Sequence, residues 1–515
     1  MKTNLLNTAR YLATALLVAA AMLMPQMANA DGTPPSGSGT ASSPYQLGNA
    51  DDLYWFADQV NSGNYTACAL LTDDIVVNVN VLETDGNLNV DSSDFRIWEP
   101  IGFDTDGQRY EGVFDGGGHT ISGLYFNDDT KSVVGLFCST ASNAVIKNVG
   151  VVDSYFHALQ HVSGICGSNR GTVANCFNAA TCWSPNNLEG GIVSWNEGSV
   201  SNCYNRGVSQ SLCYYNNGSV ANCFFLMDKC SCGVVQGDDG TSGMSAKDFA
   251  GGEVAWLLNG SEAGENPTWR QTIGDDDFPV LDPAKGIVIK APHITLNALV
   301  RPTAGTLVGG DVYNFGGLEG EKIYGIPYYG KLAANHPYVF QTNDDYVSFV
   351  PSDEVVTDDT DTCGLTGVLD YKGKTVYGPY NIVDEPACIL FSTSQPIYAA
   401  PNGTNVGYGK CYINTEEGTL DGEPVAMAKS IANFSGEIAN TQKIANTSDL
   451  YSFATKVNNG KTKFNAILKA DIVVNENVLN DMGLLNNDGE GFKSWTPIGF
   501  DTDGQKFEGI FDGQG

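Results

Sequence analysis

The sequence has 515 residues, with 27 basic and 59 acidic side chains and a formal net charge of −32. That sign excludes the basic footprint that nucleic-acid binding requires, and it makes an encounter with phosphate or an anionic membrane repulsive. Thirteen cysteines are an odd number for an exported chain held by paired disulfides.

The first 30 residues read as a secretory signal. Lys2 and Arg10 form a basic end, Tyr11–Met24 an apolar segment, and Ala28-Asn29-Ala30 a small-residue cleavage site. The apolar run is too short for a membrane span, so no transmembrane segment is expected once the signal is removed. No cysteine follows it, so no lipid anchor is expected at the mature N-terminus. Residues 31–44, rich in Gly, Ser, Thr and Pro, read as a flexible linker.

A short helix follows. Leu53, Phe56, Ala57 and Val60 share one face at helical spacing, with Asp51 as the expected N-cap and Gly63 as the stop. Strands are expected at Asp74–Asn78, Gly112–Phe114, His119–Ile121 and Leu124–Phe126. Three shorter repeats come next, at Gly164–Phe177, Gly191–Tyr204 and Ser211–Phe224, with a looser first member at Gly135–Val149. Their asparagines stand at 148, 175, 202 and 222, at spacings of 27, 27 and 20.

Such a period, with short β-branched strands and Gly/Asn corners, suits one coil of a parallel β-solenoid. Stacking at about 4.8 Å would line up Ile146, Val173, Val200 and Val220 as an interior ladder. Each asparagine would take a left-handed corner conformation, and stacked amides would bond coil to coil. The helix would cover the exposed edge of the first coil. Ser245–Asp248 reads as a capping box that opens an exit helix over Phe249–Leu258.

Beyond it, runs such as Tyr346–Val350, Thr375–Tyr377, Cys388–Phe391 and Cys411–Ile413 are spaced as in a β-sandwich. Residues 446–515 then repeat residues 49–118, with about 40 identities in roughly 70 ungapped positions. The fold class is therefore all-β: a right-handed parallel β-helix with helical caps, a β-sandwich-like domain, and the start of a second β-helix. The boundaries are 1–30 signal peptide, 31–44 linker, 45–288 first module, 289–440 sandwich-like domain and 441–515 second module.

The repeat G-I-C-G-S-N-R-G-T-V-A-N-C-F and its two followers resemble GLUG-motif repeats, found in exported right-handed β-helix proteins of Gram-negative anaerobic bacteria. The entry block, from L-Y-W-F-A-D-Q-V-N-S-G through F-D-G-G-G-H-T-I-S-G-L, and the exit block F-A-G-G-E-V-A-W-L-L-N-G are similar to the start and end of such modules. Ser211-Leu212-Cys213 departs from the usual glycine-apolar-apolar opening. The resemblance implies a cell-surface or secreted protein of the adhesin type and supplies no catalytic residues.

Read on their own, the candidate chemical groups point the same way. Asp104, Asp106 and Glu111, repeated as Asp501, Asp503 and Glu508, are weak calcium candidates, since the full loop pattern is missing; the alternative is a turn in which Asp and Gly satisfy backbone groups. Asp275-Asp276-Asp277 is a similar candidate. His157 and His161 have helical metal spacing in a context of strand and turn.

Cys176, Cys203 and Cys223 share one coil position, where parallel side chains hold Cβ atoms too far apart for a bridge; buried thiols are expected. Pairing of Cys182 with Cys230 or Cys232, or among Cys363, Cys388 and Cys411, stays open. Trp183, Trp195, Tyr204, Tyr214, Tyr215, Phe177 and Phe224 would stack on a ligand where they face out. The functional expectation is non-catalytic binding of an extracellular glycan or protein. The alternative is a β-helix polysaccharide lyase or glycoside hydrolase, which needs clustered carboxylates, as in hydrolases, or calcium with a basic residue.

Overall fold

In the computed structural model, strands of two to nine residues alternate with tight turns from Tyr45 onward, and helices are few and short. The structure describes residues 34–515 except 90–93, 292–295, 320–321, 359–361, 363, 377–387, 392–396, 400–402, 415–440, 459–464, 469, 476–477, 480–491, 499–505, 508–510 and 513–515. The expected signal peptide lies outside the described residues. Contacts divide the chain into two units. One runs to Ser261 and includes Asp277–Asp282; the other holds Glu262–Asp276 and everything from Pro283.

The first unit is built on three parallel sheets that the chain visits in rotation. Sheet I, with seven strands, holds Val113–Asp115, Val145–Lys147, Thr172–Ala174, Ser199–Ser201 and Ser219–Ala221 after its two opening strands. Sheet II includes Gly150–Ala158, Phe177–Trp183, Tyr204–Asn205 and Cys223–Leu226. Sheet III includes Cys166–Asn169, Glu189–Asn196, Ser209–Asn216 and Cys230–Gly237. One hydrophobic cluster draws buried residues from all three.

The repeats align in register. Ile146 pairs with Val173, Val173 with Val200, and Val200 with Val220, all buried. Cys166, Val193 and Cys213 form a second inward row. The four corner asparagines have φ between 51° and 55°, the left-handed conformation their side chains tolerate. Amide-to-amide bonds join Asn222 to Asn202 (2.8 Å) and Asn175 to Asn148 (3.1 Å).

Two further rows run beside them. Asn169 donates to Asn196 and Asn196 to Asn216, both at 2.8 Å, while Asn178 donates to Asn205 at 2.9 Å. These amides are buried, and in each row they also satisfy backbone groups two residues on, which is why their burial is tolerated.

Helix α1 (Ala50–Asn61) packs Leu53, Phe56, Ala57 and Val60 into the same core. Its N-cap is Asn49, whose side chain accepts from Asp52 N at 3.0 Å; the expected cap, Asp51, lies inside the first turn and pairs with Arg96 instead. Residues 36–44 are not a free linker. Gln46 N reaches Ser36 O and Cys68 N reaches Gly39 O, both at 2.8 Å, which ties this stretch to the first strands. The exit helix is two helices, α2 (Ala246–Ala250) and α3 (Glu253–Leu258), because Gly252 takes φ 90° between them. The Ser245/Asp248 capping box is formed.

The second unit carries antiparallel sheets over 287–414, including Ile287–Lys290, Ala304–Val308 and Tyr346–Ser352 in one and Cys388–Phe391 with Cys411–Asn414 in another. Helix α4 (Thr447–Asn458) follows, with a small parallel sheet. Among the described residues no helix is long and apolar enough to cross a membrane.

Candidate functional site

The outer face of sheet II carries a built cleft. Along Gly150–Ala158, Phe156 and Ala158 point into the core while Tyr155 and His157 point out. The next strand follows suit: Thr181 pairs with Tyr155, Cys182 with Phe156, and Trp183 with His157. One extra residue sits in the first of these strands, since Val152 pairs with Ala179 but Tyr155 with Thr181. This β-bulge places Asp153 at φ 43°, a strained conformation for that residue, and re-aims its side chain.

Asp153 uses that orientation to hold a hairpin. Its carboxylate accepts from Leu82 N at 2.8 Å and Val81 N at 3.2 Å. Burial pushes its pKa up, against the lowering effect of those N–H groups. The hairpin runs from Val81 to Asn89 and closes through the Leu82–Leu88 bridge and Asn89 N to Val81 O. Gly86 turns its tip with φ 92°. Thr181 Oγ1 donates to Gly86 O at 2.5 Å and Lys229 Nζ to Asp85 O at 3.3 Å, fixing the tip over the sheet.

Between hairpin and sheet lies a cleft of about 450 Å³, a size suited to a small ligand. Leu88, Val208, Tyr155 and Trp183 give it apolar surface; Asp85, Asn87 and Thr181 give it polar groups. Trp183 is 46% exposed, and His157 packs against it at 4.4 Å between ring centroids, at 67°. Burial lowers the His157 pKa, which favours the neutral ring. Its Nδ1 lies 2.6 Å from Asn127 Oδ1, so Nδ1 carries the proton. Asn87 N and Nδ2 donate to the two Asp85 oxygens at 2.9 and 2.7 Å and hold that carboxyl below the usual range.

The residues singled out from the sequence are placed elsewhere or divided. Asp104 and Asp106 both engage Arg109, and Arg170 approaches Asp104 at 3.6 Å while binding Glu197 at 2.9 Å. Guanidinium groups thus stand beside the carboxylates proposed for calcium, while Glu111 donates its backbone N–H to Tyr65 O. Asp501, Asp503 and Glu508 lie outside the described residues. Asp276 pairs with Lys285 at 2.7 Å. His161 faces Ser194 Oγ at 3.3 Å and does not join His157 on one ligand. Among the described residues no group of three or more His, Cys, Asp or Glu side chains is placed to hold a metal ion.

The aromatic set divides too. Phe177, Tyr204 and Phe224 are buried, the first two stacked at 5.1 Å, so they are core and not ligand surface. Trp195 and Tyr215 are half-buried on sheet III and stack on each other at 4.2 Å.

The thiols left open for pairing are free. Cys182, Cys230, Cys232 and Cys411 form no disulfide, and neither do Cys176, Cys203 and Cys223. Burial pushes the Cys203, Cys182 and Cys166 thiols far up, which suppresses the reactive thiolate. Cys363 and the Cys388 side chain lie outside what is described.

Sequence reasoning missed the hairpin and Asp153. The Asp85-Gly86 pair between Leu82 and Leu88 is a hairpin signal that could have been read. The bulge at Asp153 has no sequence signature, because it appears only when two strands are paired.

No protein-family model matches this chain. It is 31% identical over 161 residues to halomucin of Haloquadratum walsbyi, covering 31% of this chain and 2% of that protein. It is 31% identical over 81 residues to a "Putative Gly-rich membrane protein" of Evansella cellulosilytica, covering 15% of this chain and 9% of that one. The chain therefore spans a small fraction of either relative. Among solved structures it is similar to a "putative immunoglobulin A1 protease" from Bacteroides ovatus, at 16% identity and a TM-score of 0.30, over 48% of this chain and 95% of that one.

Proposed function

We propose that this chain is an exported, surface-displayed repeat protein that binds an extracellular ligand without turning it over. Its first module, 45–288, is read as a right-handed β-helix of the GLUG type, followed by a sandwich-like domain at 289–440 and a second β-helix from 441. The GLUG-like repeats, the leader-like N-terminus and the rotation through three parallel sheets support that reading.

The observation that carries binding is the cleft beneath the 81–89 hairpin, where Trp183 stays 46% exposed beside an oriented carboxylate. Asp85 is the one carboxylate among its described lining residues. Glycoside hydrolysis through two carboxyl groups would need a second one about 5–9.5 Å away. That supports binding over the hydrolase alternative.

The test is to screen the full chain against immobilised glycans and extracellular-matrix proteins while monitoring soluble polysaccharides for shortened products. Reproducible binding without product is the expected result. Release of oligosaccharide from any polysaccharide would overturn the reading.

A further inference from the structure

We infer that the sheet II cleft receives a neutral saccharide residue, with one sugar face on the Trp183 indole and its hydroxyls on Asp85 and Asn87. This rests on the binding reading above and names the ligand class for the same site. Two independent features point to it.

The first is the shape and fixation of the apolar surface. Trp183 is exposed at one side of an otherwise narrow cleft, and the His157 ring, packed at 4.4 Å, supports it from below. A preset aromatic plane loses little side-chain freedom when a ring of C–H groups covers it. Leu88 and Val208 line the same cleft with aliphatic surface, which favours the apolar face of a sugar over a fully solvated ion.

The second is the polarity of the remaining groups. Both Asp85 oxygens already accept from Asn87, which fixes the carboxylate plane. A carboxylate has about four acceptor sites, so about two remain for ligand hydroxyls. The Asn87 amide gives one of its two N–H groups to Asp85, which presents its oxygen, another acceptor, alongside the second N–H. Thr181 donates its proton to Gly86 O, so its hydroxyl oxygen also accepts. The Tyr155 hydroxyl remains as a donor, kept protonated by burial that raises its pKa. The cleft is thus rich in acceptors and matches a ligand rich in O–H donors.

Charge selects within saccharides. Asp85 lies at the rim and the whole chain carries −32. Uronic and sialic acids meet the Asp85 carboxylate at the rim and the net negative charge at long range, a repulsion that Lys229, with Nζ 3.3 Å from Asp85 O, offsets only in part. An ammonium ligand would be attracted, but it would bind with steep salt dependence.

The experiment uses the full chain on an array of neutral and acidic oligosaccharides, followed by titration calorimetry with the neutral oligosaccharide that binds. Trp183→Ala should weaken binding about tenfold and Trp183→Phe by less. Asp85→Asn should weaken it severalfold. Raising NaCl from about 50 to 500 mM should change affinity less than about twofold. Indole fluorescence should shift on binding in the parent and not in Trp183→Phe while that variant still binds by calorimetry, a combination that a folding defect does not mimic.

Binding confined to acidic glycans, or an affinity that collapses with salt, would overturn the inference and leave the binding reading standing. So would saccharide binding untouched by Trp183→Ala, or binding of protein ligands alone. Binding of nothing on either array would sink both.

Discussion

Trp98 and Trp495 occupy the same place in two copies of one sequence block, yet Trp98 is fully buried and Trp495 is 44% exposed. Their local surroundings match. Tyr54 Oη donates to Ile97 O at 2.9 Å, and Tyr451 Oη to Ser494 O at 2.7 Å. Asn61 reaches Pro100 O at 3.1 Å, and Asn458 reaches Pro497 O at 3.0 Å. Asn78 exchanges two bonds with Arg96 as Asn475 does with Lys493.

What differs comes from further along the chain. The Trp98 indole N–H donates to Gly135 O at 3.1 Å, and Trp98 N to Tyr125 O at 2.7 Å. Both acceptors follow the duplicated stretch. Around Trp495 there is instead a hollow of about 520 Å³ lined by Leu450, Ile472 and Val478, whereas the equivalent Leu53, Ile75 and Val81 are fully buried. The block therefore encodes its own hydrogen bonds, and later strands supply its burial.

The sharpest break of this comparison is to remove each indole. Trp98→Ala should destabilise the first unit by about 3–5 kcal/mol, since it deletes a fully buried ring and leaves a cavity. Trp495→Ala should cost less than about 1 kcal/mol, as exposed substitutions do. Hydrogen exchange of the full chain, read peptide by peptide, separates the two units. Equal losses of protection would show that burial of the indole does not set the energetics.

A second prediction concerns a feature that, among the described residues, belongs to the first unit. Asn196 receives from Asn169 and Gly198 and donates to Asn216. Asn196→Ala leaves those buried partners unsatisfied and should cost about 1–3 kcal/mol. Asn196→Asp should do no better, because a carboxylate cannot donate to Asn216. Retained thermal stability in both variants would argue against the amide row as a stabilising element.

A third prediction tests the part that the copies share. Asn49 caps α1 through Asp52 N, and Asn446 caps α4 through Asp449 N, each at 3.0 Å. Replacing either with Ala should raise local exchange by about 1 kcal/mol equivalent, alike in both units. A clear difference would mean that the cap, too, depends on what is packed above it.

These cases show how much of the fold is legible in the sequence alone. Ile146, Val173, Val200 and Val220 were legible as a row because the repeat spacing carries them, and the Asn corners because the residue type fits one backbone region. The buried rows at Asn169/Asn196/Asn216 and Asn178/Asn205 recur at the same spacings, yet a polar residue in or beside a strand reads as a surface position until its partners are known. The site was less legible. Trp183 and Phe177 stand six residues apart on one strand and share its outer face, yet Phe177 is covered by Tyr204 and Arg206, with Phe249 packed on Tyr204, while Trp183 stays exposed, a difference that local pattern does not carry. Asp153 holds the base of the hairpin that carries Asp85 through Leu82 N, 71 residues away in the chain, a relation set by the bulge and invisible to local pattern.

The smallest effect is a dependence on pH confined to the stacked sheets. Glu189 is 3% exposed; its Oε1 accepts from Ser184 N at 2.6 Å, and its Oε2 is buried without a partner. Burial raises its pKa above the ordinary carboxylate value, outweighing the backbone bonds. For a carboxyl raised on folding, the unfolded chain ionises first. The favourable contribution is therefore present at low pH and is lost as pH rises through the folded-state value. Glu189→Gln keeps an acceptor for Ser184 N and removes the ionisation. Parent and variant should have similar urea midpoints near pH 4, and the variant should become relatively more stable as pH rises toward 8. Because Ser184 directly follows Trp183, the same series reports whether the turn beside the cleft tightens. A variant that instead loses stability with rising pH would mean that the ionised carboxylate is a favourable partner there, and that burial is not what governs it.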